Sequence, residues 1–143
     1  TFTNVTDKDV RFLGAANKGY GGLCFRPDAT RKPLVFTTQD GVLPEDALRY
    51  ATPWADVSWS YSPGGPKAGA AIFEHPGNPG FPFPGWILRH YGLLGASWPH
   101  EESHLLKPGE AFTLRYRLLI HQGDAVEADV AGAWTEYYEA HRP

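Results

Sequence analysis

The sequence lacks features on which several common classes of protein depend. It has no methionine and a single cysteine, Cys24, so an internal disulfide and a cysteine-based zinc site are both excluded. No apolar run approaches the length of about 20 residues that a membrane-spanning helix needs. The net charge of −3 and the isoelectric point near 6.0 argue against non-specific binding of nucleic acid. We therefore expect neither a nucleic-acid partner nor a membrane partner.

A signal peptide is also lacking, and the chain begins at Thr1 without an initiator methionine. This start predicts a processed or truncated piece of a longer protein, from which localisation signals have been removed. The localisation is therefore unknown from the sequence. We expect a soluble protein, and removal of a signal would favour the periplasm or the cell exterior.

Motifs for metals and cofactors are scarce as well. His100 and His104 have a spacing that places two side chains on one face of a helix, but the acidic residues between them indicate a solvated connection. No phosphate-binding loop, nucleophile elbow or zinc motif occurs. The sequence therefore predicts no metal ion and no cofactor.

Glycine, proline and aromatic residues are abundant instead, with 16 glycines, 13 prolines and 14% aromatic residues. Many short strands joined by tight turns produce this balance. Alternation of apolar and polar residues over 54–61 and 111–121 is typical of antiparallel strands with one buried face. With 143 residues, the chain has the length of one domain. The predicted fold is an all-β, mainly antiparallel β-sandwich.

One convincing helix is predicted at the C-terminus, from about Ala125 to Ala140. Asp124 and Glu127 have the spacing of a capping box at its start. Apolar side chains then recur at helical spacing and form one stripe, which is expected to pack against a sheet. The residues of this stripe are Val126, Val130, Trp134, Tyr137, Tyr138 and His141. Residues 44–48 are predicted to form a further, single helical turn.

The stretch around which the chain is organised is residues 71–92, AIFEHPGNPGFPFPGWILRHYG. It begins as an apolar strand and then has four prolines and three glycines within ten residues, which end any regular ladder. Aromatic and titratable side chains lie between the prolines. A loop stiffened by proline holds such side chains in place at low entropic cost, so we predict a binding or catalytic loop. The alternative is a surface loop that folds its aromatic residues back onto the sheet.

This stretch and three others resemble a known family. Residues 68–92 resemble a segment of the PmoA-like family in which phenylalanine, an acidic residue, histidine and proline precede Asn-Pro, a proline-rich turn, tryptophan, arginine and Tyr-Gly. Residues 20–26 resemble the family's Gly-Gly strand that ends in arginine, and residues 54–56 resemble its Trp-x-Asp. Residues 114–123 resemble its late strand that ends in His-x-Gly. The likeness covers nearly the whole chain and corresponds to the C-terminal half of the family's domain.

The resemblance implies a β-sandwich of the galactose-mutarotase-like type, which binds carbohydrate on the concave face of a sheet. It also implies a place among bacterial systems that oxidise sugars or use polysaccharides. The family's domains are longer than this chain. Residues 1–143 are therefore expected to be either a single domain or the C-terminal half of a larger β-sandwich domain. In the second case, a companion N-terminal segment or a second copy (a homo-oligomer) would cover the open side.

The expected partner is a sugar, an oxidised sugar or an oligosaccharide. Its recognition needs flat apolar side chains for the C–H faces and a few placed polar groups for the hydroxyls. Acid–base chemistry on a sugar needs a group that titrates near neutral pH, as histidine does. The predicted catalytic residues are His75, His121 and Arg89. The predicted substrate-binding residues are Arg26, Trp54, Asp56, Asn78, Trp86, Tyr91 and Arg117.

Five of these polar residues lie on or near predicted strand ends and are expected to surround one cleft. They are Arg26, Asp56, His75, Arg89 and His121. A carboxylate and an arginine that converge on His75 in an open cleft would favour an enzyme, a hydrolase, lyase or isomerase that acts on a sugar by acid–base chemistry. Burial of His75 beneath the prolines would favour the alternative, a non-catalytic carbohydrate-binding or assembly module.

Overall fold

The chain folds into 13 short strands and one helix over the residues that the computed structural model describes, 1–28 and 33–143. The helix is α1 (Val130–His141). The strands are β1 (Phe2–Thr3), β2 (Val10–Phe12), β3 (Leu23–Phe25), β4 (Val35–Thr38), β5 (Gly41–Leu43), β6 (Ala47–Tyr50), β7 (Trp54–Ser60), β8 (Lys67–Glu74), β9 (Trp86–Arg89), β10 (Leu93–Ala96), β11 (His104–Leu106), β12 (Ala111–Phe112) and β13 (Tyr116–Gln122).

Two antiparallel sheets contain most of these strands. One has five strands in the order β13-β8-β7-β4-β5, and the other has four in the order β3-β10-β9-β6. β1 pairs with β12 and β11 pairs with β2 in two further small sheets. The prediction of an all-β, mainly antiparallel, sandwich-like fold with one C-terminal helix is therefore confirmed, and β7 and β8 form the expected hairpin.

The main hydrophobic core lies between the two larger sheets. Phe36, Val57 and Ile72 belong to the five-stranded sheet, and Trp86 and Leu94 belong to the four-stranded sheet. All five side chains are fully buried. Burial of one large apolar side chain contributes about 2 kcal/mol, so this shared core is what holds the two sheets face to face.

The helix covers the opposite face of the five-stranded sheet. Trp54 and Phe73 on this face are buried in one cluster with Val130 and Tyr137 of α1. The rings of Phe73 and Tyr137 lie 5.9 Å apart. Because the sheet is covered on both faces, β7 is buried over most of its length, whereas its alternating sequence predicts only one buried face.

The helix begins five residues later than predicted. The capping box forms, because the Glu127 N–H donates to Asp124 Oδ1 (3.0 Å) and the Asp124 N–H donates to Glu127 Oε2 (2.8 Å). This capping box closes a separate turn that precedes the helix, however. Asp129 then adopts a left-handed conformation (φ 48°) and caps α1 by accepting a hydrogen bond from the Gly132 N–H (3.1 Å). Val126, which the apolar stripe included, is consequently exposed.

Two other predictions of secondary structure are wrong. Residues 44–48 form no helical turn, because β6 begins at Ala47 and pairs with β9. The strand predicted over 111–121 is interrupted at residues 113–115, between β12 and β13. At this break the backbone is bound by a side chain of the proline-rich segment between β8 and β9, residues 75–85, which we call the central loop. This side chain takes the place of a neighbouring strand.

The apolar side of β13 is only partly covered. Tyr116 packs against the main core, whereas Leu118 is 47% exposed and Ile120 is 68% exposed. β13 is also the edge strand of the five-stranded sheet, so one row of its backbone N–H and C=O groups has no partner strand among the described residues. The predicted alternation is present in this strand, but its apolar face is not buried along its full length.

Two expectations about the whole chain stay predictions. One is whether residues 1–143 are a single domain or half of a larger one, and the other is the galactose-mutarotase-like type of the sandwich. Within the described ranges, none of the chain's helical structure is both long and apolar enough to cross a membrane.

Candidate functional site

The central loop is held in place by its own side chains, beginning with His75. The Nδ1 atom of His75 accepts a hydrogen bond from the Gly77 N–H (2.9 Å). Its ring packs against the rings of Tyr137 and His141 on α1, with centroids 6.1 and 5.1 Å away. Burial, together with the positive charges of His141 and Arg115, lowers the pKa of His75. Among the described residues no carboxylate pairs with His75, so it has a positioning role in the loop.

Glu74 and Asn78 fasten the same loop to the sandwich. The buried Glu74 carboxylate accepts a hydrogen bond from the Phe83 N–H (2.9 Å), and burial raises the pKa of Glu74 to about 7. The Asn78 amide donates to the Arg115 C=O (2.8 Å) and accepts from the Arg115 N–H (2.7 Å). This is the contact that interrupts the strand between β12 and β13. The Asn78 amide is therefore engaged by the Arg115 backbone and is not free for a ligand.

Three other predicted substrate-binding residues take part in packing. Trp86 is fully buried between the sheets, and Trp54, only 4% exposed, lies beneath α1. The guanidinium carbon of Arg117 lies 4.4 Å from the ring centroid of Tyr137, also on the helix. Neither tryptophan ring presents a face to a ligand in this fold.

Asp56 and His121 do meet, on the helix-covered face of the five-stranded sheet. Nε2 of His121 lies 2.7 Å from Oδ1 of Asp56. Gly69 on β8 lies beside them, and a β-carbon there would overlap the His121 ring, so the glycine makes the contact possible. Burial raises the pKa of Asp56 to about 6, although its hydrogen bond with His121 acts in the opposite direction. Oδ2 of Asp56 has no hydrogen-bond partner within the described part of the chain.

A groove of about 230 Å³ opens on the same face of this sheet. Thr37 and Ser58, which neighbour Asp56 on this face, contribute to its lining. Hydroxyl groups near a hydrogen-bonded Asp–His pair are groups that acid–base chemistry uses. The His121 side chain is only 7% exposed, however, and its Nδ1 lies 3.4 Å from the Gln122 C=O. This arrangement leaves little of the ring available to a ligand.

A second group of predicted residues meets on the outer face of the four-stranded sheet. The guanidinium carbons of Arg26 and Arg89 lie 5.8 and 5.0 Å from the ring centroid of Tyr91. The Tyr20 hydroxyl lies 3.1 Å from the Tyr91 hydroxyl and accepts a hydrogen bond from Arg89 Nη1 (3.2 Å). Tyr91 is 38% exposed, and Arg26 is also exposed. We call these four residues the tyrosine–arginine surface.

Asp46 positions this surface, although sequence reasoning does not find it. Its Oδ2 accepts a hydrogen bond from Arg89 Nε (2.7 Å), and its Oδ1 accepts one from the His90 N–H (2.6 Å). Partial burial acts to raise the pKa of Asp46, but the hydrogen bonds from His90 and Arg89 outweigh it and lower the pKa. Sequence reasoning also misses Tyr20, whose usable signal is its place beside two glycines on the strand that leads to Arg26.

The single cleft that the sequence predicts does not form. His75 and His121 lie on the same face of the five-stranded sheet, but His121 pairs with Gly69, six residues before His75, which corresponds to about 20 Å. Arg26 and Arg89 lie on the outer face of the other sheet. Because the two outer faces of a sandwich point away from each other, the two arginines and the two histidines cannot converge.

An aromatic cleft was not expected from the sequence. Phe2, Phe12, Trp98, Phe112 and Tyr116 contribute to the lining of a space of about 490 Å³. The ring centroids of Trp98 and Phe112 lie 4.7 Å apart, and those of Phe12 and Phe112 lie 5.1 Å apart. No charged side chain of the described residues lines this space. Its rings come from separate stretches of the chain, so no local pattern reveals them.

The fold and these sites define a class of protein, a β-sandwich with a helix on one sheet and a surface of tyrosines and arginines on the other. The chain belongs to the family of unknown function DUF6807, which it matches over residues 1–135. Comparison with curated proteins found no match, and comparison with solved structures found none.

The family expected from the sequence is therefore wrong. The family that the comparison shows over residues 1–135 is DUF6807, and no PmoA-like family is found. The motifs behind that expectation centre on the proline-rich loop, where His75 accepts a hydrogen bond from the loop backbone and Asn78 binds the backbone of Arg115.

Proposed function

We propose that the chain is a non-catalytic carbohydrate-binding module, which binds a sugar or an oxidised sugar at the tyrosine–arginine surface. One observation supports this function above the others. The exposed Tyr91 ring has the guanidinium carbons of Arg26 and Arg89 5.8 and 5.0 Å from its centroid. An exposed aromatic ring and two planar guanidinium groups over it thus lie together on the outside of one sheet.

The chemistry of this surface matches the two kinds of group that a sugar presents. The C–H groups of a pyranose ring pack on a flat aromatic side chain, and its hydroxyl groups accept hydrogen bonds from guanidinium N–H groups. The salt bridge of 2.7 Å to Asp46 already orients Arg89. A surface with side chains oriented before binding loses less conformational entropy when the ligand arrives.

The surroundings of His75 favour a module over an enzyme. Its Nδ1 is occupied by the Gly77 N–H, and the predicted catalytic arginine, Arg89, lies on the other sheet. General acid–base catalysis needs a proton carrier within hydrogen-bond reach of the reacting group, in an open site. His75 pairs with no described carboxylate and packs against α1, which supports a structural role in a module more than a catalytic one.

Titration of isotopically labelled protein with monosaccharides and oligosaccharides, followed by amide chemical shifts, tests the proposal. We expect shifts concentrated at residues 20–26 and 89–92. Tyr91→Ala should weaken binding about tenfold or more, because it removes the aromatic platform. Tyr61→Ala is the matched control, since Tyr61 is an exposed tyrosine in the β7–β8 turn. The proposal would be refuted if Tyr91→Ala left the affinity for the sugar unchanged, or if the protein bound no sugar at all.

A second candidate function is sugar-directed acid–base catalysis by the Asp56–His121 pair. The distance of 2.7 Å between these side chains and the groove beside them support it. Incubation of the protein with the same sugars, monitored by proton NMR, should then reveal new product resonances. His121→Asn should abolish turnover while leaving binding at the tyrosine–arginine surface intact. Absence of turnover at saturating sugar would eliminate this candidate.

A further inference from the structure

The charges at the tyrosine–arginine surface do not balance. The positive charge of Arg89 is paired with Asp46, whose two carboxylate oxygens bind Arg89 Nε (2.7 Å) and the His90 N–H (2.6 Å). Arg26 is exposed, and no described carboxylate lies within ion-pair distance of it. Asp46 is already engaged by Arg89 and His90, so the guanidinium charge of Arg26 has no carboxylate partner among the residues that the structure describes.

The other titratable groups of this surface do not supply the missing negative charge. The hydrogen bond with Tyr20, followed by burial, raises the pKa of Tyr91. Burial raises the pKa of the Cys24 thiol, which lies two residues before Arg26 on the chain. Both groups therefore stay neutral at physiological pH. The four residues of this surface, together with Asp46, therefore carry a net positive charge next to an exposed aromatic ring.

We infer that the carbohydrate bound at the tyrosine–arginine surface is an acidic sugar, with its carboxylate on Arg26 and its ring against Tyr91. This inference rests on the proposed carbohydrate-binding function and names the ligand class. A guanidinium group presents parallel N–H donors that match the two oxygens of a carboxylate. Arg89 is less available for this contact, because its charge is paired with Asp46 and two of its five N–H groups donate to Asp46 and Tyr20.

Arrangement on the surface supports the assignment of roles. The guanidinium carbons of Arg26 and Arg89 lie over the Tyr91 ring, 5.8 and 5.0 Å from its centroid. The charge of Arg26 is therefore about the width of one sugar ring from the aromatic group. A uronic acid has its carboxylate attached directly to the pyranose ring. It can therefore contact the charge and the aromatic ring at the same time, whereas a neutral hexose engages only the ring and the hydroxyl partners.

The experiment compares one ligand in two charge states. Trigalacturonate and its fully methyl-esterified form have the same rings and differ in the carboxylate charge. Isothermal titration calorimetry should show that the acid binds at least about tenfold more tightly than the ester, a preference that decreases as salt is added. Arg26→Gln should remove this preference. Arg11→Gln, a substitution of an exposed arginine that donates to Ser103, should keep it.

Each outcome separates this inference from the function on which it rests. Equal binding of acid and ester would overturn the acidic-sugar assignment and leave carbohydrate binding in place. Binding of neither form, with no binding of neutral sugars, would overturn both. Retention of the preference in Arg26→Gln would overturn the role of Arg26. Arg26→Lys provides a second variant, which keeps the positive charge but cannot form the bidentate contact with a carboxylate. It should show an intermediate preference for the acid over the ester, with an unchanged melting temperature.

Discussion

Glu74 is a carboxylic acid held almost entirely out of solvent beneath the central loop. It is 1% exposed, and its Oε2 atom accepts the Phe83 N–H at 2.9 Å. Burial raises the pKa of this carboxyl from 4.5 to about 7. A single residue therefore links the protonation state of the protein to the anchoring of the loop.

The first prediction concerns the pH dependence of stability at Glu74. Because the pKa is raised in the folded state, the proton stabilises the fold below about pH 4.5, and this contribution is lost as pH rises through about 7. The full shift corresponds to roughly 3 kcal/mol. Glu74→Gln should therefore reduce the loss of unfolding free energy between about pH 5 and about pH 8, as measured by urea denaturation.

The control for this prediction is Glu136→Gln. Glu136 is an exposed residue of α1, so its substitution should leave the pH dependence of stability unchanged. A Glu74→Gln variant with the same slope of stability against pH as the unsubstituted protein would contradict the prediction. The raised pKa of Asp56 acts in the same direction and should remain visible in both variants.

At the scale of elements, the central loop behaves as a part of the five-stranded sheet. Asn78 replaces a neighbouring strand at the break between β12 and β13, through two hydrogen bonds of 2.8 and 2.7 Å to Arg115. His75 closes the turn at the start of the loop, and Glu74 binds its far end at Phe83. The loop is thus fastened at three places by side chains that occur within five residues of one another.

The second prediction is that Asn78→Ala destabilises the fold by about 1–3 kcal/mol. The substitution removes both hydrogen bonds to the Arg115 backbone, each of which contributes about 1 kcal/mol, and leaves two backbone groups without their partner. Chemical denaturation provides the measurement. Gln39→Ala, in the exposed β4–β5 turn, is a control that should cost little. An unfolding free energy equal to that of the control would mean that the prolines and Glu74 hold the loop without Asn78.

At the scale of the whole molecule, the five-stranded sheet extends beyond the cover that the four-stranded sheet provides. Leu118 and Ile120 are exposed on the core-directed face of β13, and no strand in the described part of the chain pairs with its outer edge. Apolar side chains beside unpaired backbone groups favour pairing with another chain or segment. The expectation of a companion segment or a second copy stays a prediction, and β13 is the place where we expect it.

The third prediction is that the protein self-associates through β13 when no companion segment is present. Such an interface should bury more than about 1,000 Å² in total. Size-exclusion chromatography with light scattering should give a mass above that of one chain, and Ile120→Glu should return it to one chain. Val126→Glu is the control, because Val126 is 82% exposed but lies outside the strand. A one-chain mass of the unsubstituted protein at high concentration would show that the sandwich closes alone.

The candidate site was predictable in part. Arg26, Arg89 and Tyr91 were all expected to contact a ligand, and they do lie together. Their partners were not predictable, because Asp46 and Tyr20 reach Arg89 across sequence separations of 43 and 69 residues. Histidines and carboxylates were the candidates for acid–base chemistry in the sequence. In the fold, His75 and Glu74 accept hydrogen bonds from the backbone, and His121 and Asp56 pair with each other.

The sequence by itself determined the class of structure: the alternation in β7 and β13, the proline and glycine turns, and the apolar stripe of the C-terminal helix. These features are local, since side-chain direction and turn conformation depend on residues a few positions apart. Only the tertiary structure decided which sheet each strand joins. That pairing directs His75 and His121 to one outer face and Arg26 and Arg89 to the opposite one, because contacts between strands distant in the sequence determine which residues share a face.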